Sequence, residues 1–207
     1  MPKTTKNNFS KTEQDRSKKT LDDLLTSAYL LVEEANPEKF TSRELAEKSG
    51  YALGTLIKRL GSVENVFLWA IKKGQKKQFD NFAKITSNFD ENLPLNDLLE
   101  QITGASFRAM KGVNPKVIRY FEDRSAKKNG FEPDFFNYSD ALIKPFLETA
   151  KRNKTNTFRI FSEAEGRLIF RSAMTLAERP FVEGNPIAGT KEHRRIVIQN
   201  LTRLLGR

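Results

Sequence analysis

Residues 41–60 read TSRELAEKSGYALGTLIKRL, and this stretch decides the fold. Thr41, Ser42, Arg43 and Glu44 have the form of a capping box, in which the first hydroxyl and the carboxylate three residues on each satisfy an amide left without a partner at a helix start. The short helix so begun runs through Leu45 and Ala46 to Ser49, and Gly50 suits the left-handed conformation that ends a helix. A second short helix is expected over 52–60, closed by Gly61. Two such helices around a glycine-bearing turn form a helix-turn-helix. The first braces the second, whose N-terminal half enters a major groove about 12 Å wide. Leu45, Ala46, Leu56, Ile57 and Leu60 are the expected inward residues. Thr41, Ser42, Arg43, Ala52, Leu53, Thr55, Lys58 and Arg59 are the outward, DNA-contacting candidates. Gly54 joins them because it has no Cβ to keep the backbone away from a phosphate.

Upstream, Leu21, Leu24, Leu25, Ala28, Leu31 and Val32 recur at helical spacing, which predicts a helix over 17–35 closed by Asn36-Pro37. Residues 1–16 are polar and basic with Phe9 as their one bulky apolar group, and read as a flexible arm. Residues 17–61 then form a three-helix DNA-binding domain. Residues 62–207 form a larger helical domain, the one to which the family resemblance assigns ligand sensing and dimerisation.

Downstream, Val66, Phe67, Trp69, Ala70 and Ile71 start a long fourth helix that continues through Lys72, Lys73, Lys76 and Lys77 to Phe82 or Ile85. Those lysines read as a solvated face. Further helices are expected from Pro94 to Gly112, and from Pro115 to Asn129-Gly130. Another runs from Pro133 through Leu147 with a kink at Pro145. The last two are expected over 157–178 and 191–205. The fold class is therefore all-α with about nine helices. No repeat, heptad run or strand-like alternation interrupts this reading.

Composition agrees. The 207 residues are 38% hydrophobic with 16 Phe, enough for a packed core, and there is no Cys. Disulfides and thiolate chemistry are thereby excluded, and a reducing, cytoplasmic location is expected. No signal-like segment opens the chain, and no run approaches the roughly 20 apolar residues of a membrane helix. The net charge of +10 favours polyanionic partners through counterion release, without choosing between nucleic acid and an anionic membrane surface.

Enzymatic chemistry finds no footing. His193 is the single histidine, so no triad forms. The pairs Glu122-Asp123 and Glu163/Glu165 have helix-neighbour spacing, and no metal, P-loop or dinucleotide pattern occurs, so no catalytic residue, metal or cofactor is expected. Phe107, Tyr120, Phe121, Phe136, Tyr138 and Phe146, with Phe135, are aromatic candidates for lining an apolar ligand cavity, ordinary core packing being the alternative for each.

With these residues in hand, the chain resembles the tetracycline-repressor (TetR) family. TSRELAEKSG at 41–50, GTL at 54–56 and Ser62-x-Glu64 resemble that family's DNA-binding domain over roughly residues 20–72, about a quarter of the chain. Leu53, Ile57, Arg59 and Leu60 stand where members often carry a polar residue, Tyr, His and an aromatic. The resemblance implies a homodimer on a palindromic operator, repression, and release when a small apolar or aromatic ligand enters the larger domain. It also implies that the last two helices dimerise, through Phe161, Leu168, Ile169, Ile196, Val197, Leu201 and Leu204. Their apolar stripes suit either a partner or a monomer's own core. The rival reading is a helical interaction or membrane-surface protein that uses basic charge without reading sequence.

Overall fold

The computed structural model describes residues 6–34, 36–60, 62–129 and 139–207, with side chains at 16–34, 36–58, 62–124 and 139–207. Nine α-helices run through the described residues: α1 Lys6–Glu33, α2 Ser42–Ser49, α3 Leu53–Leu60, α4 Val63–Ser87, α5 Leu95–Lys111, α6 Pro115–Asn129, α7 Ile143–Arg152, α8 Glu163–Glu183 and α9 Lys191–Leu205. The chain divides into two compact units, Met1–Lys73 and Gly74–Arg207. The division falls inside α4 and not at Gly61, because Phe67, fully buried, stacks on Phe40 at 4.6 Å and holds the start of α4 in the first unit. Among the described residues no helix is long and apolar enough to cross a membrane.

In the first unit α1 begins at Lys6, so the helical backbone extends into the segment expected to be a flexible arm. Polar residues such as Lys and Gln are good helix formers, and a helix already nucleated by a buried stripe extends through them at little cost. That stripe is Leu24, Ala28 and Leu31. Asn36 caps a short 3-10 turn at Pro37–Lys39 by accepting the Glu38 N–H. Thr41 Oγ1 accepts the Glu44 N–H at 3.2 Å, and Gly50, at φ +73°, closes α2 in the left-handed region.

In the second unit α8 packs against α5, α6, α7 and α9. Phe146 on α7 anchors an aromatic cluster, stacked on Phe161 at 5.4 Å and edge-on to Phe170 at 5.8 Å. The close approach of α8 requires Gly166, where a Cβ would lie 2.9 Å from the Phe161 ring and 3.2 Å from Ile143 Cγ2. Two expectations change here. Pro145 sits in the first turn of α7, where its missing N–H leaves no helical bond unmade, so it does not kink an interior. And α8 starts at Glu163, capped by Ser162, not at Thr157. Residues 157–159 run extended instead: the Arg159 N–H donates to Leu205 O, and Thr157 O accepts the Arg207 N–H. Thr157 Oγ1 also accepts the Leu95 N–H at the start of α5.

The far end of α8 carries Pro180, which has no N–H to offer Leu176 O. His193 supplies the missing donor. Its Nδ1 accepts the Gly189 N–H at 3.1 Å, so the ring proton resides on Nε2, which donates to Leu176 O at 2.8 Å. The buried imidazole stacks on Phe107 at 4.5 Å and ties α9 to the proline turn of α8.

Two substitutions test this packing by thermal unfolding. Gly166→Ala gains about 1 kcal/mol of helix propensity yet forces the Phe161 ring aside at about 1–3 kcal/mol, so we expect a lower Tm; an unchanged or higher Tm would refute the close approach. His193→Leu keeps the bulk but leaves Leu176 O without a donor, for a loss of about 1–3 kcal/mol, where an unaltered Tm would remove the staple.

Candidate nucleic-acid interface and ligand cavity

In the first unit, α3 is held from one side only. Leu56 is fully buried beside the equally buried Leu45 of α2. The turn between the two helices is tied to α1 by the Tyr51 hydroxyl, which donates to Asp23 Oδ2 at 2.9 Å. Lys48 Nζ bonds Glu34 at 2.5 Å, and this pairing holds the exposed Glu34 carboxyl below the usual carboxylate range. The sequence reading passed over the Tyr51 and Lys48 links because nothing local marks a partner 14 to 28 residues away.

The other side of α3 is open. Ala52, Leu53, Gly54 and Lys58 are exposed, as are Thr41 and Arg43 at the start of α2, while Ser42 and Thr55 are half-buried. The Arg59 and Leu60 side chains lie outside the described residues. Ile57 departs from expectation: it is 61% exposed, not inward. On an eight-residue helix Leu56 takes the core position, and its neighbour, turned by about 100°, joins Leu53 at i, i+4 on the outer face. That face therefore pairs an apolar row, Leu53 and Ile57, with a second row, Gly54 and Lys58. A Cβ built on Gly54 meets nothing within 4 Å, and its φ is not positive, so neither packing nor backbone conformation calls for glycine there.

Of the lysines on α4, Lys73 lies over the rings of Trp69 (5.1 Å) and Tyr29 (5.9 Å), and Lys76 pairs with Asp80 at 2.6 Å.

The second unit encloses a cavity of about 60 Å³. Its walls are Phe79, Phe82 and Thr86 of α4, Leu98 to Ser106 of α5, Phe146 of α7, Phe170 to Glu178 of α8, and Val197, Leu201 and Leu205 of α9. Of the aromatic candidates only Phe146 contributes to this wall. Phe107 is committed to His193 and to Phe181, edge-on at 5.3 Å. Phe121 is buried elsewhere and Tyr120 lies under the Arg124 guanidinium at 5.6 Å. Phe135, Phe136 and Tyr138 fall outside the described residues.

The wall residue that sequence reading missed is Glu178, the one ionisable side chain among the described residues lining the cavity. Gln78 Nε2 donates to its Oε1 at 3.4 Å, and the Ser106 hydroxyl is the other polar group beside it. Although the side chain keeps partial accessibility as part of the cavity wall, its apolar surroundings push the carboxyl from its ordinary 4.5 up to about 7, against a smaller opposing effect of Ser106. A signal was present: Phe170, Met174 and Glu178 recur every fourth residue, which puts a carboxylate on an apolar stripe.

The dimer-face candidates split. Phe161, Ile169, Val197 and Leu201 are buried in the unit's own core and have no surface for a partner, because α8 and α9 pack on each other and on α5. Leu168 is 68% exposed, and Ile196 and Leu204 are partly exposed.

No family model matches the chain, and no curated protein does. Solved structures do. A protein of Mesorhizobium loti assigned to the TetR family of transcriptional regulators superposes with a TM-score of 0.67 at 12% identity, over 93% of this chain and 99% of that one. A TetR-family regulator of Streptomyces coelicolor gives 0.61 at 15% identity, over 90% and 80%. The multidrug binding protein EbrR, in complex with imidazole, gives 0.55 at 11% identity, over 89% and 93%. At such identities the likeness is one of fold: the chain has the fold of the TetR-family transcriptional regulators.

Proposed function

We propose that this protein is a sequence-specific DNA-binding transcriptional regulator, a homodimer that represses from a palindromic operator and is released by a small molecule. The observation that carries the reading is the outer face of α3. An exposed helical glycine costs about 1 kcal/mol relative to alanine, and at Gly54 the fold gains nothing in return. A backbone that must come close to a phosphate accounts for it. Lys58 one turn on supplies charge, and the Leu53 and Ile57 row suits thymine methyl groups. Thr41, Ser42 and Arg43 flank this face from the start of α2, and Ala52, Thr55 and Arg59 complete the proposed interface.

In the dimer, the two α3 helices enter successive major grooves about 34 Å apart. The exposed Leu168, with Ile196 and Leu204, is the apolar surface we assign to the partner. The cavity of the second unit is the ligand site. At about 60 Å³ it is smaller than the roughly 150 Å³ that holds benzene. A ligand must therefore separate its walls, and a conformation that ligand prefers can differ from the one DNA prefers. Reciprocal coupling follows: a ligand that weakens operator affinity is itself bound more weakly by the DNA complex, by the same factor.

Selection of the purified protein against random double-stranded DNA is the direct test. We expect an enriched palindrome; recovery of unenriched sequence by folded, ligand-free protein favours the rival interaction or membrane-surface reading. Variants then separate the roles. Gly54→Ala should raise stability by about 0.5–1 kcal/mol while weakening binding to every sequence several-fold. Lys58→Ala should weaken all binding and shallow the salt slope by about 1. Leu53→Ala should change sequence preference. Wild-type affinity and preference in all three variants would remove α3 from the interface.

A further inference from the structure

Helix α8 places a carboxyl where packing alone would place a hydrocarbon. Glu178 stands in a wall of Phe79, Phe82, Phe146, Phe170 and Met174, and burying an unpaired carboxylate there is strongly unfavourable. The adjacent Arg179 is not its partner, being committed to Glu122 at 2.7 Å and Glu183 at 2.8 Å. Gln78 reaches it at 3.4 Å from α4. From α5, Ser106 lines the same cavity at 4% exposure, and its hydroxyl lies beside the Glu178 carboxyl as a second neutral polar neighbour. A carboxyl in an apolar cavity, with two neutral polar neighbours and no counter-ion among the described residues, suits a cation bearing N–H groups.

We propose that this cavity binds a lipophilic organic ammonium ion whose charged head pairs with Glu178 and Ser106 Oγ while its apolar body lies against the phenylalanine rings. The proposal rests on the reading of the cavity as the ligand site and names the ligand class. Aromatic faces attract a cation as well as hydrocarbon, and the flexible Met174 can yield the extra room. An anion would be repelled by Glu178, and a neutral ligand would leave it unpaired.

The neighbours of Glu178 are Gln78 of α4 and Ser106 of α5, the other described residues lining the cavity carry no titratable group, and Glu122 of α6 is held by Arg179. In the free protein the carboxyl stays protonated up to about pH 7. Pairing with an ammonium ion requires the carboxylate, so binding below that pH expels one proton to solvent, and affinity falls as pH falls, approaching about tenfold per unit.

The test is calorimetry of the full chain without DNA at pH 8, with n-butylammonium and benzylammonium chloride compared against 1-butanol and benzyl alcohol. We expect each cation to bind about tenfold or more tightly than its alcohol, the preference to shrink at pH 6 with net proton release, and Glu178→Gln to abolish it. That variant should fold. The wild-type carboxyl holds its proton to about 7 when folded but only to 4.5 when unfolded, so wild-type stability declines from pH 4.5 to 7, and the glutamine lacks that decline. Equal affinity for cation and alcohol, no binding of any probe, or a preference that survives in Glu178→Gln each overturns the proposal. Because DNA is absent, such a failure leaves the regulator reading standing, and a failure to select DNA leaves this site standing.

Discussion

The second unit depends on one constraint: α8 packs against α5, α6, α7 and α9, so each polar group on its covered side must find a partner inside the unit. The solutions differ along its length. At its N-terminus Ser162 caps the first turn, and Gly166 gives up a side chain so that Phe161 and Ile143 can close on the helix. At its C-terminal end Pro180 removes a donor, and His193 from α9 restores it to Leu176 O. Arg179 points outward and pairs with Glu122 of α6, while Arg119 of α6 donates to Val182 O. Glu178 meets the neutral Gln78 and Ser106 and no cation, and it is the group that faces the cavity.

The first unit solves a different problem. The first unit's core, built from α1, two short helices and the start of α4, is narrow: Leu24, Ala28, Leu45, Leu56 and Ala70 are sealed, with the Phe40 and Phe67 stack at one side. Polar ties at the rim, Tyr51 to Asp23 and Lys48 to Glu34, fix the α2–α3 turn against α1 without covering α3. A helix anchored by the buried Leu56 and braced from behind leaves Leu53, Gly54, Ile57 and Lys58 open. That geometry lets a short element present both apolar and charged rows to a partner, at the expense of exposed Leu53 and Ile57.

These two arrangements put the residues we propose as functional in the places where local rules are broken. Gly54 breaks helix propensity without a packing reason, and Glu178 breaks the apolar stripe without a counter-ion. The buried histidine looks similar in sequence, a lone polar group on a late helix, yet both of its nitrogens are satisfied and its role ends in the fold.

The sequence by itself determined the all-α class, the capped α2 with its Gly50 stop, the span of α9, and the helix-turn-helix, because those depend on contacts between residues three or four apart. It left open, or placed wrongly, what depended on distant partners. Residues 157–159 lead into apolar residues at helical spacing, Ile160, Phe161 and Ala164, but run extended, since the far end of the chain takes their hydrogen bonds. Phe161, Ile169, Val197 and Leu201 suited a partner's surface equally well until α8, α9 and α5 closed over them. Phe107 looked like cavity lining until His193 came to lie on its ring. Periodicity tells which side of a helix is apolar. Only the tertiary structure decides whether that side meets the core, a cavity or solvent, because that choice is made by elements many residues away.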